Sequence, residues 1–406
     1  MKSLQRSLVM LCLLGIIALL IPRSGLFSAI SMPFSYQSDQ HGSHTPPPRS
    51  GYPPDQACQF PVLDPFDESI LAYVTHPQAV QCPQVQPDFT CTDGYVVRVN
   101  TSLVKRHKFR HVEYRNISLK QGGQVEYGDW TVWDLAETAS MYLSESIEVR
   151  GLYENTLRYS NVHSSIHVDE MIVEWKRKVL ATRKKGRAPP NVLIFALDSI
   201  SRSNFIRNLP QTFSLLTNRL SSIVFRGYTK IDDNTVPNML AVLTGHKVTI
   251  HGSELAGHFQ RDYVDHYPFI WKNFSQNGYV TGIGDEEDNA LCFGAKGYNH
   301  TPTDWYLRPF GVALSKSSGD SLCVGNKAVY QMILDSNRRF IEAQHKRGLP
   351  FFLTCMLWKQ SHNSINAIEK SDAIIAQFFK DLINAGHLNN TFLFGFLGTA
   401  LLQRSR

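Results

Sequence analysis

The chain lacks three things, and each absence narrows what it is. After residue 30 there is no run of about 18 unbroken apolar residues, the length a membrane helix needs, so a polytopic membrane protein is excluded. It lacks a dominant charge of one sign: 41 Lys and Arg against 35 Asp and Glu leave a formal net charge of +6. Much of that excess sits in one stretch, Lys176 to Arg187, rather than along a groove-forming motif, so nucleic acid is not an expected partner. Nor does it have the composition of a disordered chain. Hydrophobic residues make up 43% and charged residues 19%, enough to build a large core, and 406 residues suggest two or three domains at roughly 150 residues each.

At the N-terminus Lys2 and Arg6 precede the apolar run Leu8 to Ile21, the charge-then-hydrophobe order of a secretory segment. Its 14 residues suit a signal peptide. Extended past Pro22 and Arg23 through Leu26, Phe27, Ala29 and Ile30, it makes a short signal anchor. Residues 1–30 are therefore expected to be a signal anchor or a cleaved signal peptide. The expected location is the secretory pathway, as a single-pass type II membrane protein held by this segment or as a secreted one. Five Asn-x-Ser/Thr triplets, at Asn100, Asn116, Asn273, Asn299 and Asn389, agree with a glycoprotein. Besides Cys12 there are six cysteines, Cys58, Cys82, Cys91, Cys292, Cys323 and Cys355. They fall three and three between the halves, so complete pairing needs a bridge between halves. Cys355, inside the apolar PFFLTCMLW, reads instead as a buried free thiol.

Residues 31–56, rich in Ser, His, Gly and Pro, read as an extended stalk. Residues 57–175 carry short β-rich runs such as YVVRV, HVEYRNISL and DWTVWDL and read as a small β-rich domain. Residues 176–190, with seven basic residues and two closing prolines, read as a solvated linker or as a site for anionic glycans, lipid headgroups or processing. Residues 191–406 change pattern. NVLIFAL, IVFRGY, YVTGIG, PFFLTCMLW and TFLFGF are strand candidates, interspersed with helical stretches at Ser201–Leu220, Val329–His345 and Asn366–Ala385. Apolar strands alternating with helices imply a parallel sheet covered on both faces, whose ligands sit at the carboxyl ends of strands.

Two such places carry chemistry. Asp198 directly follows NVLIFAL, placed to hold a divalent cation or to cap the next helix, with Ser199 and Ser201 as competing caps. Thr235 lies just before a helical turn containing Pro237, where an oxygen faces free backbone amides and a favourable dipole, or is a simple cap. The acidic GDEEDNALCF, with Asp285, Glu286 and Asp288, reads as a solvated loop that has carboxylates to donate in principle.

The strand ending in Asp198, Thr235 in T-x-P-N, L-T-G at Leu243 to Gly245 and His251-Gly252 together resemble the alkaline-phosphatase superfamily, in its phosphodiesterase and sulfatase branches. PNVLIFALDSISRSNF, DNTVPN, PTDWYLRP and SHN look like a metazoan family of unknown function within it, over roughly residues 55–393. The resemblance implies a three-layer α/β sandwich of the alkaline-phosphatase type, an anionic ester substrate and a divalent metal, zinc by preference. It implies that Asp198 and Thr235 ligate a metal, that Thr235 is the nucleophile, and that His362 serves a second metal. Conventional sulfatases need Cys or Ser with Arg four residues on; Thr235 and Met239 stand there instead.

The sequence also departs from the pattern. The superfamily's Asp-His ligand pair belongs after a strand near residue 395, yet no Asp or His follows His387, and Asn363 stands where the family has Asp. The expectation is a C-terminally truncated, inactive relative; the alternatives are a non-catalytic glycoprotein that binds a partner, or an incomplete gene product.

Overall fold

The computed structural model describes residues 17–19, 62–82, 87–154, 156–183, 188–225, 228–286, 295–319 and 321–397. The stalk, Cys12, Cys58, Cys292, Asp288 and most of the N-terminal apolar run lie outside the described residues. Of that run only Ile17–Leu19 (β1) is described, and no helix among the described residues is long and apolar enough to cross a membrane.

A short helix, Glu68–Leu71 (α1), leads into the β-rich region. There Thr90–Asp93 (β2), Val96–Val99 (β3) and Ser140–Tyr142 (β7) form one antiparallel sheet. His111–Leu119 (β4), Val125–Tyr127 (β5), Thr131–Val132 (β6), Ser146–Tyr153 (β8) and Thr156–His163 (β9) form another. The helix Thr101–Arg106 (α2) joins the two. Alternating positions bury Ile147 and Val149 of β8 with Val97, Val112, Trp133 and Tyr159 in one local core, as the two-residue period of a strand requires.

The basic stretch is not a linker from its start. Residues 170–181 form the helix Glu170–Ala181 (α3), capped by Asp169, whose carboxylate accepts from the Met171 N–H. Its Lys176 side chain is 1% exposed, and its ammonium lies 3.0 Å from Asp304 Oδ2 and bonds Ser275. A cation so deeply buried must be paired. Packing does not divide there either: Ile117, Val162, Ile166, Val168 and Val173 share one core with Leu193, Phe195 and Leu197. A Cys82–Cys323 disulfide, with Cα atoms 5.6 Å apart, ties the two regions across 241 residues of sequence. Cys91 is exposed and Cys355 buried, both unpaired.

The central sheet has the order β1, Thr391–Leu397 (β18), Asn191–Leu197 (β10), Phe351–Leu357 (β17), Val280–Ile283 (β13) and Trp305–Tyr306 (β14). Every pair from β18 to β14 is parallel, and β1 runs antiparallel at the β18 edge. Short hairpins, Val248–Thr249 with Gly252–Ser253 (β11, β12) and Cys323–Val324 with Lys327–Ala328 (β15, β16), lie outside it. All seven residues of β10 are buried. Leu193, Phe195 and Leu197 face the layer built from Arg202–Asn208 (α4), Pro210–Ser214 (α5), Arg308–Ser318 (α8), Val329–Arg347 (α9) and Asp372–Asn384 (α10). Val192, Ile194 and Ala196 face Thr235–Thr244 (α6) and Ile270–Gln276 (α7). The protein is thus a three-layer α/β sandwich with a mostly parallel sheet, preceded by a β-rich region. IVFRGY is not a strand among its described residues: Ser221, at φ 51°, turns the backbone just ahead of it, and residues 221–225 are irregular.

Candidate active site

Asp198 is the residue at which β10 stops and chemistry begins. Its N–H donates to Leu357 O at 3.0 Å, prolonging the β10–β17 ladder by one step, and it is 2% exposed. The next residue, Ser199, has φ 55°, a left-handed conformation in which a side chain is uncommon and which is typical of functional turns. The turn brings Ser199 Oγ within 3.2 Å of Asp198 Oδ2, to which it donates. Capping of α4 falls to Ser201, whose Oγ accepts the Asn204 N–H at 3.1 Å, so Asp198 is spared that role.

Thr235 comes from the other side. It is the first residue of α6, two residues ahead of Pro237, whose missing N–H costs nothing in a first turn. Asn234, at φ 73° and ψ 164°, occupies the cap position without a side-chain capping bond. Asn238 holds this loop in place: Nδ2 donates to the carbonyls of Asp232 and Asn234, both at 2.7 Å, and Oδ1 accepts from Ile231 N–H at 2.7 Å. The outcome is a hydroxyl at a helix N-terminus donating to a buried carboxylate, Thr235 Oγ1 to Asp198 Oδ1, at 2.7 Å. Residues 37 apart in sequence meet at the carboxyl edge of the sheet, where the α6 dipole favours negative charge.

The acidic stretch after β13 is not a solvated loop at its start. Asp285 is 6% exposed and Glu286 fully buried. Both continue the strand edge: Asp285 Oδ1 accepts from Met356 N–H at 3.0 Å, and Glu286 Oε2 accepts from Trp358 and Lys359 N–H at 2.8 and 2.9 Å. Gly284 permits this approach, since a Cβ there would collide with the Asn337 amide. Burial drives the Asp285 carboxyl well above the usual carboxylate range, opposed by its bond to Met356. The available signal was that Asp285 and Glu286 come just past an apolar strand, as Asp198 does, with Gly284 between. Gln360 was also missed; it is 1% exposed, with neither amide atom hydrogen-bonded, in the loop that carries His362.

His362 is half-buried, edge-on to Trp358 with ring centroids 5.8 Å apart. Its Nδ1–H donates to Asn363 Oδ1 at 2.8 Å. The structure thus joins Thr235 to Asp198 but turns His362 to Asn363 and Trp358. Among the described residues no three His, Cys, Asp or Glu side chains converge to hold a metal ion. Asp198 and Thr235 alone fall short of the three protein ligands of a catalytic zinc, so these residues do not by themselves fit the implied metal. β18 runs in register beside β10, with Leu397 opposite Leu197; residues 398–406 lie outside the described residues.

A parallel α/β sheet with a carboxylate–hydroxyl pair at its carboxyl edge defines the class of protein. Within that class, the family model described as "Protein of unknown function (DUF229)" matches residues 61–397, and the chain belongs to that family. No curated protein matches it significantly. Among solved structures, the crystal structure of the lipoteichoic acid synthase LtaP from Listeria monocytogenes is similar at 14% identity and a TM-score of 0.37. The match covers 57% of this chain and 63%, less than two thirds, of that one.

Proposed function

We propose that this protein is a lumenal or extracellular relative of the alkaline-phosphatase superfamily, with a site directed at phosphate or sulfate esters and Thr235 as its nucleophile. The observation that carries the reading is the 2.7 Å hydrogen bond from Thr235 Oγ1 to Asp198 Oδ1 at the carboxyl edge of the sheet. In the proposed step Oγ1 bonds to phosphorus, the bond to the leaving alkoxide breaks, and the hydroxyl proton passes toward Asp198. Water then cleaves the phospho-threonine. The α6 N-terminus steadies the anionic ester. A divalent cation would supply the acidity that makes a hydroxyl a strong nucleophile. Since the described residues do not assemble its ligands, ester capture with little turnover is the expected behaviour.

The compartment reading draws on the Cys82–Cys323 disulfide, typical of oxidising compartments. It also draws on four sequon asparagines that are exposed, Asn100, Asn116, Asn273 and Asn389, with Asn299 half-buried. In this reading the N-terminal apolar segment directs the chain into the secretory pathway and either remains as its anchor or is removed, and in either case Ile17–Leu19 gives up its place beside β18.

The test uses the glycosylated protein recovered from secreting cells and incubated with a chromogenic phosphodiester. An adduct on the Thr235 peptide by mass spectrometry, its phosphoryl group still carrying the ester that is not displaced, is expected, absent in Thr235→Ala and diminished in Asp198→Asn. Wild-type protein that neither binds the ester nor acquires the adduct, or turnover that survives Thr235→Ala, defeats the proposal.

A further inference from the structure

A groove of about 400 Å3 opens on the β-rich region, lined by Pro87, Phe89, His107, Phe109, Tyr153 and Arg158; small-ligand sites span ~300–1,000 Å3. Its floor is aromatic, with the Phe89 ring 4.6 Å from Phe109 and 5.0 Å from His107. Gly151 of β8 makes room for Phe109: a Cβ there would stand 2.9 Å from its ring.

The surroundings are cationic. The segment K-R-H-K-F-R at residues 105–110 brings Lys105, Arg106, Lys108 and Arg110 beside the two lining residues it contains, and all four are exposed. Neither they nor Arg158 has an acidic partner among the described residues. Other cations of the same region are matched: Arg115 with Glu148, Arg150 with Glu113, Lys120 with Glu126.

The backbone adds an independent observation. Helix α2 ends in a Schellman motif, closed by Phe109 N–H to Val104 O and Lys108 N–H to Lys105 O, both 3.1 Å. The left-handed position of that motif, normally glycine, holds Lys108 at φ 53°. A strained side chain kept where glycine is easier points to a use for the side chain.

We infer that the groove binds a sulfated saccharide, whose apolar C–H face lies on the half-buried Phe109 ring, backed by the buried Phe89, and whose sulfates meet Arg158 and the cations of residues 105–110. An anionic membrane surface shares the charge complementarity, but Phe89 is 3% exposed and recessed, unable to insert into a bilayer.

The test is calorimetric binding of a heparin-derived tetrasaccharide to the full secreted chain, with the desulfated tetrasaccharide and phosphatidylserine vesicles as alternative probes. Lys108→Gly suits the backbone better than lysine, so its melting temperature should hold or rise while binding weakens roughly two- to fivefold, the range of one exposed ion pair. Arg158→Gln should act similarly and the two together about tenfold. Substituting Lys184 and Lys185 by Gln in the other basic stretch should change nothing. The inference is overturned if the double variant binds as wild type does, if binding is lost only with Lys184 and Lys185, if the desulfated sugar binds equally well, or if vesicles bind and the tetrasaccharide does not.

Discussion

Lowering the pH from 7 to 5 should destabilise the β-rich region by about 2 kcal/mol through one side chain, His163. Its imidazole is 6% exposed, clamped between Thr90 Oγ1 at Nε2 and Thr92 Oγ1 at Nδ1, both 2.6 Å away. A neutral ring satisfies both contacts by donating at one nitrogen and accepting at the other. Burial, and secondarily the charges of Arg339 and Lys327, push its pKa from 6.5 down to about 3. In the unfolded chain the ring gains a proton near 6.5 and in the folded one only near 3. The stability is therefore fully present above 6.5 and is lost as pH falls from there toward 3. At pH 5 the unfolded ring lies about 1.5 units below its pKa, at ~1.36 kcal/mol per unit. Urea unfolding followed by tryptophan fluorescence, in wild type and His163→Gln, isolates the effect, because the amide keeps a donor and an acceptor but does not titrate. Wild type should lose about 2 kcal/mol more than the variant between the two pH values. Equal losses in the two proteins would refute the argument.

Two further outcomes test the packing. Lys176→Met leaves Asp304 without its buried cation and should cost about 3 kcal/mol in chemical denaturation, whereas a solvated linker lysine would cost almost nothing. Separating Cys82 from Cys323 by Cys82→Ser should lower stability by about 2–5 kcal/mol; peptide mapping without reductant should recover the two cysteines in one cross-linked fragment.

NVLIFAL was legible because a strand buried on both faces needs no alternation, and β10 is buried throughout. Asp198 was legible for the related reason that a carboxylate just past such a strand lies at its carboxyl end. Thr235 was placed near a helix start by Pro237, but its partner was not, because a hydrogen bond across 37 residues has no local signal. Asp285 and Glu286 were misread because consecutive acids normally face water; the amides of Met356, Trp358 and Lys359, which accommodate them, come from the end of β17 and the turn after it, about 70 residues away. Lys176 was misread for the mirror-image reason, its surroundings in sequence being basic and its partner Asp304 remote.

Local order followed from sequence alone: the apolar strands with alternating helices, the sulfur placed in a buried strand at Cys355, and the turn chemistry around Pro237. Those features depend on periodicity and on neighbours a few residues away, which a linear string records. Tertiary structure decided everything that rests on charge and burial together. It set the Asp198–Thr235 pair, the matched Lys176 and unmatched Lys108, the buried Asp285 and neutral His163, and the shared core that erased the boundary at residue 176. A buried charge is tolerable only beside a specific partner, and which partner arrives is settled by how strands distant in sequence are ordered in the sheet.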